Sequence, residues 1–238
     1  MKEINFSIVN WFAWAPGLEN KEDWRRWAND KKLFSADLTL SPTLDFIEPL
    51  ARRRLSQLTK MSLKTTFECG KEYGNNIENV FASRYGELNQ TLKLMKSISD
   101  GESISPAGFS LSVHNSAAGI NSVTSKNKKS YTALAACEMT FETAFLEALG
   151  RLQNQELVML TVGEEYVKEI SAPQFMPFSL SILIGKNDGE KIKAAIGDSK
   201  KNPNYDQENL SLNFLRWLID SNDSVFSAKL ISFTKRTK

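Results

Sequence analysis

Tyr131-Thr132-Ala133-Leu134-Ala135-Ala136-Cys137-Glu138 is the stretch that decides the fold. Its small and strand-compatible side chains predict a strand over 131–136. Immediately afterwards Met139, Phe141, Phe145, Leu146 and Leu149 recur at helical spacing, which predicts a helix from Glu138 to Leu152. A strand that runs straight into a helix, joined at Cys137-Glu138, opens a βα unit. The apolar run from Leu157 to Val162 supplies the next strand.

The same alternation extends outward in both directions. Asn79-Val80-Phe81-Ala82-Ser83 reads as a short buried strand ending at Gly86, and Leu88 to Ile98 as an amphipathic helix that stops at Asp100-Gly101. Near the start, Ile4 to Val9 alternates apolar and polar residues as a half-buried strand does. An aromatic-rich stretch follows and breaks at Pro16-Gly17, and then Trp24 and Trp27 sit three apart on a short helix. Pro49 to Cys69 is expected to form one helix, with Leu50, Leu55, Leu58, Met61 and Leu63 interleaved with Arg52, Arg53, Arg54, Lys60 and Lys64. Toward the end, Phe178 to Ile184 predicts a strand, Gly189 to Asn209 a mobile polar loop, Leu210 to Ile219 a helix and Val225 to Phe233 a single closing strand. Together these give one α/β domain over residues 1–238, a mixed sheet with packed helices.

Composition narrows the function. Thirty basic against 28 acidic residues leave a formal charge of +2, too little for a phosphate-neutralising surface, so nucleic acid is not an expected partner. No apolar run is long enough for a membrane span, and charge at Lys2 and Glu3 leaves no secretory h-region, so a cytoplasmic protein is expected. Cys69 and Cys137 lie far apart without metal-ligand spacing; reduced thiols and no metal are expected. Phosphate-cradling glycine motifs are absent, so no nucleotide cofactor is indicated.

Cys137 is the residue with the most suggestive position, at a turn facing a helix N-terminus, although a cysteine there is also a good small apolar filler. Thiol-based acyl transfer further needs a group to polarise the thioester and to stabilise a carbanion, usually histidine. The sequence has one, His114, so it cannot assemble a Cys-His-His set, and no Gly-x-Ser-x-Gly elbow accompanies it. Arg52-Arg53-Arg54 with Lys60 and Lys64 forms a basic helical face, either simply solvated or a docking point for an acidic carrier protein.

Three segments in order resemble one family: Phe81-Ala82-Ser83-Arg84-Tyr85-Gly86-Glu87-Leu88, then Ser105 to Gly119, then Ala135-Ala136-Cys137-Glu138. They are similar to the β-ketoacyl synthase-like N-terminal domain, and within it to the chain-length-factor-like subunits of aryl polyene synthesis. The resemblance covers most of 1–185 and is most specific over 78–149. It implies a single thiolase-like half-fold. A full ketosynthase would have two halves, the first with the nucleophilic cysteine and the second with two catalytic histidines.

What the resemblance implies is a noncatalytic subunit that pairs with a full-length ketosynthase and helps shape its acyl tunnel, in polyketide or fatty-acid-like biosynthesis. No cofactor would be bound, since acyl groups arrive on the phosphopantetheine arm of an acyl carrier protein. Aligned on the strand, Cys137 takes the nucleophile's place; aligned on the helix through Glu147-Ala148, Glu138 does, and the second alignment is preferred. Val113, His114, Asn115, Ser116, Ala117 and Gly119 would border the partner, and Met139 and Phe141 would either set tunnel depth or fill the core. The enzymatic alternative is acyl transfer or malonyl decarboxylation by Cys137 or Glu138 with histidines from the partner. A homodimeric carrier-protein scaffold is a further alternative.

Overall fold

Thirteen residues of β1 (Lys2–Trp14) run through the middle of one eight-stranded sheet in the computed structural model, which describes residues 2–30, 37–74, 76–171, 175–197, 210–219 and 223–236. In chain order the other elements are α1 (Lys21–Asn29), α2 (Pro49–Arg52), α3 (Gln57–Gly70), β2 (Glu78–Ala82), α4 (Leu88–Ser99), α5 (Pro106–Ser110), α6 (Ser116–Ser125) and β3 (Tyr131–Leu134). Then come α7 (Thr140–Leu152), β4 (Leu157–Glu164), β5 (Phe178–Gly185), β6 (Glu190–Ile196), α8 (Leu210–Ile219), β7 (Val225–Ser227) and β8 (Ile231–Lys235). The strand order is β3-β2-β4-β5-β1-β6-β8-β7, with β3, β2 and β4 parallel and every later pairing antiparallel. The mixed α/β architecture expected from the alternation is the one observed.

Strand alternation sends successive side chains to two different cores. Val80 and Ala82 of β2 join the main core with α7 and α8, whereas Phe81 packs with Ala117 and Ala118 of α6 on the opposite face. The main core is rich in rings: Phe145 lies 4.6 Å from Phe233 and 5.4 Å from Phe214, and Phe6 lies 5.5 Å from Phe145, centroid to centroid. Each such pair contributes about 0.5–1.5 kcal/mol beyond its buried area. The second face is different in kind. There α3 lays Thr65 and Thr66 against Thr161, Ser179 and Ser181, and the hydroxyls bond one another at 2.8–2.9 Å. Small polar side chains let the helix approach the sheet closely, and mutual bonding removes the desolvation cost of burying them.

Three sequence expectations are corrected. Pro49 to Cys69 is two helices, because Ser56 accepts from the Thr59 N–H and starts α3 anew, while Leu55 turns inward against Leu44, Ile47 and Leu63. Part of the expected loop from Gly189 is β6: Ile192 and Ala194 point into the core while Lys191 and Lys193 point out, so its charge is strand alternation. Residues 198–209 of that loop lie outside the described residues. Val225 to Phe233 is a hairpin, with β7 and β8 antiparallel around Ala228–Leu230.

Candidate functional site

The junction read from the sequence is built by one side chain more than any other. Thr140 Oγ1 accepts from the Ala136 N–H at 3.0 Å and donates to the Cys137 carbonyl at 2.7 Å, which clamps residues 136–140 into a 3₁₀ turn over Cys137–Met139 before α7 begins. The turn forces Cys137 to φ +51°, the left-handed region that L-residues avoid. Its side chain is exposed. The neighbouring Glu138 reaches out and pairs with Arg84 at 2.7 Å.

Arg84 arrives from the loop after β2, and Glu164 holds that loop in place. Standing at the end of β4, Glu164 accepts from the Ser83 hydroxyl at 3.0 Å and from the backbone N–H groups of Arg84 and Tyr85. Burial raises its carboxyl to about 7 against the pull of those donors. The Arg84 guanidinium lies 4.9 Å from the Tyr85 ring centroid. Between the β3–α7 turn and this loop is a cavity of about 350 Å³, with Val162, Phe141 and Phe178 on its walls and Ile170 and Leu210 alongside.

The charges around this cavity limit its chemistry. Among the described residues, Glu138, Glu164 and Glu169 line it with one guanidinium, Arg84, which serves Glu138 and sits beside Glu164. A neutral acyl chain would meet apolar walls here. The one histidine is not among the lining residues. His114 is exposed and stands against Gly86, whose φ of +56° and missing Cβ leave room for the imidazole ring.

The description "beta-ketoacyl synthase, N-terminal domain" matches residues 24–229. The chain belongs to the β-ketoacyl synthase N-terminal domain family. No curated protein matches it in sequence. Among solved structures it is similar to a chain of the ketosynthase (ApeO) in complex with its chain length factor (ApeC) from Xenorhabdus doucetiae, at 23% identity and a TM-score of 0.80, covering 98% of this chain and 100% of that one. It is also similar to the ishigamide ketosynthase/chain length factor at 14% identity and a TM-score of 0.63, covering 81% of this chain and 68% of that one. A β-ketoacyl synthase from Burkholderia phymatum gives 8% identity and a TM-score of 0.59, covering 90% and 70%. The ketosynthase half-fold anticipated from the sequence is therefore present.

Within this ketosynthase-like fold the anticipated residues separate into groups. Cys137, Glu138 and Phe141 meet at the cavity, although Phe141 is 3% exposed and mostly packs on Phe145 and Phe214. Met139 is half-buried in the 3₁₀ turn. Val113, His114 and Asn115 are exposed, Ser116 and Ala117 are buried at the start of α6, and Gly119 lies against Tyr131 of β3. Arg52 is occupied by the Leu44 carbonyl at 3.1 Å and by Asp45, whereas Arg53 and Arg54 line a surface cleft with Lys93. The sequence reading missed Arg84, Thr140 and Glu164. Two acidic residues ending a strongly apolar strand, Glu164-Glu165, were the signal available for the last.

Proposed function

We propose that this chain is a noncatalytic subunit that pairs with a ketosynthase along the β3 edge and shapes the partner's acyl tunnel. The observation that carries the proposal is β3 itself: among the described residues nothing pairs with its outer side, and it leads directly into the Cys137-Glu138 turn. The elements preceding it and β3 itself expose large apolar residues, namely Met95 and Ile98 on α4, Phe109 on α5, Val113, Val123 on α6 and Tyr131 on β3. Val123 is 78% exposed, a poor situation for valine in water and a good one at an interface. An open strand edge beside exposed apolar side chains is the physical specification of a β-paired subunit contact. The solved relatives in which ketosynthase and chain length factor form a complex support the same assignment.

In that arrangement Val113 to Gly119 borders the partner, and the acyl chain arrives on a carrier protein, for which Arg53 and Arg54 offer an exposed basic edge. Aryl polyene or related polyketide synthesis in the cytoplasm is the proposed setting. Among the described residues no helix is long and apolar enough to cross a membrane. Co-expression with a full-length ketosynthase that carries the nucleophilic cysteine and both catalytic histidines tests the pairing. The two are expected to co-elute as one species, and Val123→Asp with Tyr131→Asp to separate them while both stay folded. Co-elution unaffected by the double substitution would sink the proposal.

A second reading is favoured by one specific feature, the exposed Cys137 thiol at the lip of a cavity with both apolar and acidic walls. It would attack the carbonyl of a carrier-bound acyl thioester, forming a new thioester while the pantetheine thiolate leaves and takes up the cysteine's proton. Intact-mass measurement after incubation with acyl-loaded carrier protein separates the two readings. An adduct lost in Cys137→Ala supports acyl transfer, and no adduct supports the noncatalytic subunit.

A further inference from the structure

Two acids converge on the N-terminus of α3, on the face of the sheet away from α7. Glu164 and Glu165 are consecutive where β4 ends, so they point to opposite sides, Glu164 into the loop that carries Arg84 and Glu165 to the first turn of α3. There Glu165 Oε2 accepts from the Leu58 N–H at 3.4 Å. Glu87, the N-cap residue of α4, reaches the same turn, and its Oε1 accepts from the Ser56 hydroxyl at 2.9 Å and the Thr59 hydroxyl at 2.7 Å. One turn of helix thus ties together the chain leaving β2 and the chain leaving β4.

Each acid has one oxygen left over. Glu87 and Glu165 are 3% and 4% exposed, and Glu87 Oε2 and Glu165 Oε1 have neither a donor among the described residues nor access to solvent. The one donor that can be added without opening the structure is a proton. Burial raises the Glu87 carboxyl to about 7 against the pull of the two hydroxyls, and repulsion from Glu165 adds to it. Burial raises Glu165 as well, against the Leu58 and Asn89 donors and the charge of Lys93 on α4. On the remaining side, His114 stands against Gly86, the neighbour of Glu87. A proton on Glu87 Oε2 turns an orphaned acceptor into a donor and ends the repulsion between the two carboxylates.

What these contacts hold is α4. None of its residues is buried, and Met95 and Ile98 on it are 59% and 58% exposed. A helix with so few buried apolar contacts opens more readily than the core around it. Its N-terminal end is fixed by polar contacts, Glu87 to α3 and the Asn89 amide to the Tyr166 carbonyl at 2.8 Å. We propose that Glu87 is a proton-operated latch for α4: with its proton it holds the helix on α3, and on losing the proton beside Glu165 it lets the helix come away. The pH then sets how Met95 and Ile98 are presented. The latch lies within this chain, so its test needs no partner and stands apart from the test of the pairing.

Hydrogen exchange of the full chain, read by mass spectrometry on peptides from α4 and α7 and corrected for the intrinsic effect of pH on exchange, tests the latch. An acid at about 7 in the closed helix and at 4.5 in the open one makes opening about 30-fold more favourable at pH 8.5 than at pH 5.5. Protection of α4 should fall by about that factor and level off above about pH 7. At every pH it should stay below that of α7, which is packed in the main core. Glu87→Gln keeps the helix latched and should remove the fall, whereas His114→Ala should leave it in place. Four results would each overturn the proposal: protection of α4 that does not change with pH, α4 exchanging only as slowly as α7 so that its opening is global unfolding, a fall that persists in Glu87→Gln, or a fall that disappears in His114→Ala.

Discussion

Replacing Cys137 with glycine should make the protein more stable, which is the reverse of what removing a side chain usually does. The cysteine is held at φ +51° by the Thr140 clamp, and its side chain is exposed, so the substitution loses little packing. Holding an L-residue in the left-handed region costs roughly 1–2 kcal/mol, and glycine relieves that. Glycine also gives the unfolded chain more freedom, which returns roughly 0.5–1 kcal/mol. The net expectation for Cys137→Gly is a gain of about 0.5–1 kcal/mol. Cys137→Ala keeps the Cβ and the strain, so it should fall within about 0.5 kcal/mol of the parent. Urea unfolding of all three proteins at one pH, with equal slopes, measures the order. At this chain length the glycine variant should melt roughly 2 °C higher. If Cys137→Gly is less stable than Cys137→Ala, the turn is not strained as described and the thiol or its Cβ makes a contact that matters.

Other expected outcomes concern buried groups. Burial, with repulsion from Glu165 and against the hydroxyls of Ser56 and Thr59, raises the Glu87 carboxyl to about 7 from an ordinary 4.5. An acid whose folded pKa is raised costs nothing while protonated in both states, so the penalty is absent below about pH 4.5, grows with pH and is complete above 7, where it reaches about 3 kcal/mol. Glu87→Gln keeps an oxygen for both hydroxyls and should be increasingly more stable than the parent from pH 5 to 8; a pH-independent difference in denaturation midpoint would refute it. Ser181→Ala leaves Thr161 and Thr65 each short of a buried partner and should destabilise by about 1–3 kcal/mol in urea unfolding. Gly86→Ala places a Cβ on the His114 ring at a positive φ, so it should be destabilising, and adding His114→Ala should restore only the steric part.

The sheet was legible wherever a segment's pattern was unambiguous. The strands at 79–83, 157–162 and 178–184 are dense in apolar side chains interrupted by a few polar ones such as Ser179 and Ser181, and all three strands are observed. Less legible were places where two signals conflict. Glu190-Lys191-Ile192-Lys193 looks polar by composition and is a strand by alternation, while the arginines at 52–54 mask the break that Ser56 makes. At the candidate site, the sequence pointed to the Cys137-Glu138 turn because a strand-to-helix join is local. Arg84 and Glu164 are 54 and 80 residues from their partners Glu138 and Arg84, and nothing local in the chain announces such pairings. Thr140 was hidden for another reason: a threonine in the first turn of a helix is unremarkable until its hydroxyl is seen bonding both sides of the turn.

The open edge of β3 has a consequence for how the chain fares in a cell. A strand whose outer backbone groups have no partner among the described residues, close to residues such as Val123 and Tyr131, is adhesive toward any extended segment, including the same strand of another copy. Copies made in excess of whatever covers that edge are exposed to self-association and to proteases. Were the proposed partner the surface that covers this edge, the steady level of the chain would track the supply of that partner, and one short strand would act as a stoichiometry gauge.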